Sequence, residues 1–346
     1  MSKRKKVSAI IMTLFLIIGC NNGGGEDPQK VFLTSIANLG KGFLDVFVTF
    51  GDMVTGAFGI KAETKKSDVG KYFTDIEKTM TSVKEKLQAE VAANGNYEKV
   101  KTVVDQFITG TLDKIAIGAK EAAKGATGAS SELIGSATKN SGATAPKVDS
   151  INILVKGIKE IVDVVLKDKG SAEANKTEEN DKKDIGKLFS STADDATEAE
   201  AAKASASIGA VSGADILQAI AKSDEAATAG DIKINEAKNA AEIAAANKAD
   251  TKEAKQKDAV IAGGIALRAM AKDGKFAAKN EDKAAYAISG AVASAVNKTL
   301  STLIIAIRNT VDSGLKTINE VLATVKQGDK SVEATNTAES ITSVQK

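Results

Sequence analysis

No histidine and no tryptophan occur in the 346 residues; cysteine occurs once, proline twice, and aromatic residues make up 4% of the chain. Each shortage excludes something. Without His, neither a Ser-His-Asp nor a Cys-His catalytic unit can be assembled. One Cys and no His cannot furnish the four ligands of a Cys/His zinc site. A lone Cys forms no intrachain disulfide, so the fold must rest on packing. Few aromatics and few prolines argue against a β-sandwich or a ligand-rich enzyme core. What is abundant points elsewhere. Hydrophobic residues make up 43% of the chain, and 35 alanines fall between positions 193 and 300. That is the composition of an Ala-rich helical protein with enough apolar surface for a real core.

The first 20 residues read as an export signal. Lys3, Arg4, Lys5 and Lys6 precede an apolar run, Val7 to Ile18, interrupted only by Ser8 and Thr13. The run is about half the roughly 20 residues that span a bilayer. Gly19 and then Cys20, the sole cysteine, stand where a bacterial lipobox places the small residue and the acylated thiol. The expectation is cleavage between Gly19 and Cys20, followed by attachment to membrane lipid through acyl chains on Cys20. Each buried CH₂ contributes about 0.8 kcal/mol to such an anchor. Cleavage removes four basic residues, leaving 43 against 45 acidic ones, so a formal charge of +2 becomes about −2. That balance speaks against a nucleic-acid partner. Residues 1–19 are thus expected to be a signal and 20–30, which contain NNGGGEDP, a flexible tether.

From Val31 the hydrophobic period is helical almost throughout. Val69, Phe73, Ile76, Met80, Val83, Leu87 and Val91 step by threes and fours. Further stripes run through Phe32 to Phe58, Val100 to Ile115, Ile151 to Leu166 and Leu300 to Val325. The polar stretches 168–187 and 125–146 read as solvated loops, and 327–346 as a polar tail. The pattern predicts an all-α fold with one domain over 31–326. It would be an elongated bundle, its long terminal helices packed together at a membrane-proximal base. Ala-rich short helices and loops would lie at the distal end, weakly docked because Ala has little area to bury.

Catalytic and metal constellations reduce to chance matches. Ser136-Ala137-Thr138-Lys139 and Ser313-Gly314-Leu315-Lys316 fit S-x-x-K, but neither S-D-N nor K-T-G occurs. Phe276 stands where a phosphate-binding loop needs Ser or Thr. Asp194/Asp195 and Glu178/Glu179 lack calcium-loop spacing. No catalysis, cofactor or metal is expected.

The segment 257–277 contains Ile265-Ala266-Leu267-Arg268-Ala269-Met270-Ala271-Lys272-Asp273-Gly274-Lys275-Phe276-Ala277. Its spacing predicts a helix with Ile261, Ile265 and Leu267 or Met270 facing inward. Asp273-Gly274 would end it, with Arg268 and Lys272 in the last turn complementing the helix dipole. This string resembles the invariable region of the variable surface lipoproteins of Borrelia. They comprise the variable large proteins of relapsing-fever spirochaetes and the related VlsE antigen of Lyme spirochaetes. Ala306-Ile307-Arg308-Asn309-Thr310-Val311-Asp312-Ser313-Gly314-Leu315 resembles the C-terminal helix of the variable large proteins, and the lipobox agrees with their N-terminus.

The resemblance implies an outer-membrane, surface-exposed lipoprotein that evades host antibodies by switching among variants. It also implies an all-helical fold in which 168–257 is the variable part. The alternative is an adhesin for host glycosaminoglycan or a plasma protein, with Lys248, Lys252, Lys255 and Lys257 as the basic residues; Asp250, Glu253 and Asp258 interleave with them and weaken the field.

Overall fold

A computed structural model describes residues 28–53, 59–94, 97–126, 132–193, 196–226, 232–247 and 253–329. The export signal, Gly19 and Cys20 lie outside them, as do Lys248, Lys252, Asp194, Asp195 and the tail from 330.

The protein is all-α. The described residues contain no strand, only four isolated bridges, at Lys65–Leu133, Ala137–Phe276, Ser141–Ala278 and Thr144–Lys275. Helix α1 runs from Pro28 to Met53. It starts three residues before Val31 because proline suits a first helical position, where its missing N–H would have had no partner. Its apolar positions Ile36, Leu39, Phe43, Val46 and Phe50 are buried. Helix α2, Lys66–Ala93, buries its whole sequence-predicted stripe from Val69 to Val91.

Helix α3, Glu98–Phe107, continues through a π turn, Ile108–Leu112, into α4, Asp113–Gly125. The turn explains an irregular pattern. Phe107 and Leu112 are five apart, too far for one α-helical face, and an i→i+5 turn brings both inward. Helix α5, Val148–Val165, crosses α4 backbone to backbone. A Cβ on Gly157 would stand 2.3 Å from the Ala122 nitrogen and 2.5 Å from the Gly118 oxygen, so only glycine permits this approach.

The middle of the chain forms α6 (Glu179–Lys182) followed by a 3₁₀ turn (Lys183–Phe189). Then come α7 (Glu198–Ala210), α8 (Gly213–Ala221), α9 (Ala240–Ala245) and α10 (Asp258–Met270). Helix α11, Asp282–Leu322, has 41 residues, roughly 60 Å at 1.5 Å per residue. It starts 18 residues before the stripe that predicts it, because Ala284, Ala291 and Ala295 continue its buried face with small side chains.

Helix α11 fixes the long axis. Near its C-terminus a Cβ on Gly40 of α1 would lie 3.5 Å from Leu322, so the terminal helices pack together. At the same pole Phe32 meets Tyr97 edge-on with centroids 5.9 Å apart, and Lys99 pairs with Asp329 at 2.9 Å. Further along, Gly314 lies under the Phe107 ring, Tyr72 donates to Leu300 O at 2.8 Å, and Gly213 seats against Thr302. At the other end Lys139 pairs with Asp282 at 3.2 Å.

Of the Ala-rich helices, α7, α8 and α10 pack along α11, and they are more deeply buried than the weak docking expected of them implies. Ala204, Ala240, Ala241, Ala244, Ala259, Ala262, Ala266 and Ala269 are fully buried. Small side chains let helix axes approach closely, and the contact area comes from backbone as well as side chain. The polar stretches also differ from expectation. Ile134 and Pro146 are buried, and Ile185, Leu188 and Phe189 sink into the core from the 3₁₀ turn.

Among the described residues two helices, Pro28–Val48 and Asp282–Leu322, are long and apolar enough to cross a membrane by length and composition. Both pack their apolar stripes within the bundle.

Candidate functional site

Every residue of α10 is buried, so it is apolar on all sides rather than on one stripe. Ile265, Ala266, Leu267, Arg268 and Met270 have no exposed surface at all. The two-sided glycines make room: a Cβ on Gly264 would come 2.2 Å from Ile243 on α9. A helix placed so deep cannot leave its end groups to water, and the structure shows where each goes.

At the N-terminus Asp258 is the first helical residue. One carboxylate oxygen accepts from the backbone N–H groups of Lys176 and Thr177 at 2.6 and 2.8 Å. The other accepts from the hydroxyls of Thr177 and Ser207 at 2.5 and 2.7 Å. Burial alone would push this carboxyl up, but these four donors hold it below the usual range. The negative charge also suits the positive end of the helix dipole.

At the C-terminus the capping cation comes from another helix. Lys66, fully buried at the start of α2, donates to Ala271 O at 2.5 Å, Gly274 O at 2.8 Å and Arg268 O at 3.3 Å. Burial pushes its ammonium down to about 7, with Glu132 and Asp273 opposing and Arg268 and Lys275 assisting.

Arg268 does not serve its own helix end, as the sequence reading expects. Its guanidinium reaches back to cap α9, with Nη1 donating to Ala244 O at 3.0 Å and Ala246 O at 2.7 Å, while Nε donates to Lys275 O at 2.8 Å. Its Cζ lies 5.1 Å from the Phe189 ring centroid and 5.7 Å from that of Phe276, and those rings meet edge-on. Burial pushes the pKa of its guanidinium down to about 9.

The helix stops at Met270 rather than at Asp273-Gly274. Asp273 takes a left-handed φ of 68°. Gly274 packs against the Arg268 carbonyl, where a Cβ would come within 2.2 Å. From there the chain is fixed by backbone hydrogen bonds: Lys275 N to Thr144 O, Phe276 N to Ser136 O, Ala277 N to Leu188 O and Ala278 N to Ser141 O, each at 2.9 Å. Lys272 and Asp273 are half-buried, Lys275 is exposed, and Phe276 is buried.

The segment is therefore the point where α2, α9, the loop 132–150 and the 3₁₀ turn converge. Sequence reading missed Lys66 and Phe189 as parts of it, and took Asp258, inside the segment, only as a charge that weakens a basic field. One signal was available: Arg268 is the only charge between Ala259 and Ala271.

The remaining candidates are scattered. Lys139 pairs with Asp282, and Lys316 pairs with Glu320 at 3.5 Å on the exposed side of α11. Glu178 and Glu179 are exposed, as are Lys255 and Lys257. Among the described residues no group of three His, Cys, Asp or Glu side chains is placed to hold a metal ion.

The family model described as Borrelia lipoprotein matches residues 43–322. The chain belongs to this family. Within it, variable large protein 4 of Borrelia hermsii is 67% identical over 99% of this chain and 100% of that protein. Variable large protein 17 of the same organism is 66% identical over 99% of each. The crystal structure of the Lyme disease variable surface antigen VlsE of Borrelia burgdorferi superposes with a TM-score of 0.72 at 36% identity. It covers 84% of this chain and 98% of VlsE. These relatives bear out the resemblance to the variable surface lipoproteins of Borrelia, and the fold of VlsE agrees with the helical architecture.

Proposed function

We propose that this chain is an antigenically variable lipoprotein of the cell surface, anchored in the outer membrane through acylated Cys20 and without enzymatic activity. The observation that carries this reading is the likeness over 99% of the chain to variable large proteins, joined by the likeness to a variable surface antigen. The geometry supplies a mechanism. The segment resembling an invariable region lies mostly inside, with every residue of α10 buried and only Lys257 and Lys275 exposed. The outer positions are mostly Lys, Glu, Asp, Ser and Gly. Substitution at exposed positions usually shifts stability by no more than about 0.5 kcal/mol. Epitopes facing host antibodies can then change, one expressed variant replacing another, while the scaffold persists.

Pro28 lies eight positions after Cys20, a reach of at most roughly 29 Å. The pole that holds the start of α1 and the end of α11 is thus the membrane-proximal one in this reading. Labelling with fatty acid tests the anchor: Cys20→Ala should abolish it and leave uncleaved precursor, and unchanged labelling overturns it. Protease treatment of intact cells tests exposure, with full resistance counting against a surface location. Sequencing the expressed locus in successive isolates of one infection tests switching. Replacement of the expressed copy with 258–277 retained is the expected result, and an unaltered copy throughout opposes it.

A further inference from the structure

The two ends of α10 are sealed by different physics. Around its C-terminus the seal is apolar and deep, with Phe189, Phe276 and the Arg268 and Lys66 stems all buried. Over its N-terminus lies the stretch 171–183, where only Ala172 and Lys182 are buried and Glu173, Asn175, Lys176, Glu178, Glu179, Asn180 and Asp181 are exposed. Two small apolar side chains, Ala172 and the half-buried Ala174, give this stretch little hydrophobic adhesion. What holds it is polar and centres on Asp258, with Ser171 N–H donating to Asp215 Oδ1 at 2.7 Å at one end and Lys183 pairing with Glu253 at 2.7 Å at the other. Asp258 accepts from Lys176 N, Thr177 N and Thr177 Oγ1, and the Asp258 N–H donates to Asn175 Oδ1 at 3.3 Å. Ala259 N donates to Ala174 O at 3.1 Å and Ala254 N to Lys183 O at 2.8 Å. Lys182 ties the stretch to itself through Asn175. A groove of about 460 Å³, lined by Lys176, Thr177, Asp181, Lys182, Lys203 and Ala206, runs between the stretch and α7 and brings solvent to its flank.

We propose that residues 171–183 form a strap latched on the Asp258 carboxylate, and that its local release, without unfolding of the bundle, is the route by which solvent reaches the first turn of α10. Regions with few buried apolar contacts open below the global unfolding free energy, and a strap whose middle is held by one buried carboxylate and whose ends are held by exposed polar ties is such a region. The strap is then a sub-global unit of its own, separate from the hub at Arg268. It gives the most deeply placed helix one end that opens while the other stays shut.

Native-state hydrogen exchange of the full chain at increasing sub-denaturing urea tests this. The amides of Lys176, Thr177, Ala254 and Ala259 should exchange at least tenfold faster than those of Ala277 and Ala278, with rates nearly insensitive to urea. Asp258→Asn sets an amide NH₂ against the strap's own N–H groups. It should speed the four strap amides by a further tenfold or more relative to Ala277 and Ala278. Thr177→Val, which removes one hydroxyl at a half-buried position, should speed the same set severalfold and serves where Asp258→Asn does not fold. If strap amides and hub amides show one common rate and one urea slope in the unchanged chain, the strap is part of the global unit and the proposal falls. It falls equally if Thr177→Val accelerates both sets alike.

Discussion

Lys66 and Arg268 are two fully buried cations, and neither forms an ion pair with a carboxylate among the described residues. Their charges are met by carbonyl oxygens at helix ends, which need donors because no water reaches them. The arrangement has a cost that pH can reveal. In the unfolded chain Lys66 keeps its proton up to the ordinary value of 10.5, whereas in the folded chain it releases it above about 7. Between those values the unfolded state binds more protons, so stability rises with pH, at no more than about 1.4 kcal/mol per pH unit for one group. Below pH 7 both states are charged and the dependence vanishes. Urea denaturation at pH 7 and pH 9 should therefore show the unchanged chain gaining stability relative to Lys66→Met; equal pH dependence in both would remove the role assigned to this burial. For Arg268→Leu, three carbonyls lose their donor in a dry site, and at about 1–3 kcal/mol per orphaned group the loss should reach at least about 3 kcal/mol in the same measurement. The sequence shows Arg268 as a lone charge in an apolar run. It hides Lys66, which follows Thr64 and Lys65 in a polar stretch that looks solvated.

At the scale of the elements, legibility follows side-chain size. Stripes of Phe, Leu, Ile and Met in α1, α2, α5 and the second half of α11 are read off the chain at threes and fours, and the structure buries them. Faces built from Ala and Gly give no contrast against a background of Ala, so the first half of α11 and the burial of α9 are invisible to periodicity, and in α10 periodicity shows the Ile261 and Ile265 face but not the burial of every other side. The same helices answer oppositely to equal changes. Gly264→Ala places a methyl 2.2 Å from Ile243 Cγ2 and 2.5 Å from its Cβ. Overpacking of that kind should cost about 1–3 kcal/mol. Gly290, exposed within α11 with nothing within 4 Å of an added Cβ, should gain about 1 kcal/mol on conversion to Ala. Thermal unfolding of the two variants should move Tm in opposite directions. Deletion of Gly110 tests the π turn: removing one residue there converts it to α-helix while keeping Phe107 and Leu112 inward. Circular dichroism should show a folded chain, whereas deletion of Ala116 rotates α4 by about 100° and should unfold it.

Across the whole molecule, the composition suggests two bodies, a greasy base and a loosely docked Ala-rich crown, and the connectivity of α11 contradicts that division. Its C-terminal half packs on α1 and α3, and its N-terminal half on α7, α8 and α10. One continuous buried cluster runs from Ile36 to Leu322. Neither half can lose its partners without stripping the helix that serves the other, so the bundle should unfold as one cooperative unit apart from the strap. The chain has no tryptophan, which leaves room for single reporters. Val48→Trp on the exposed side of α1 and Tyr286→Trp on the exposed side of α11 place one probe in each half with little disturbance. Urea transitions followed by fluorescence of each variant and by helical circular dichroism should share one midpoint and one slope. Separate midpoints, with the probe at 286 lost first, would restore the two-body picture and would mean that the Ala-rich helices hold together less firmly than their burial implies.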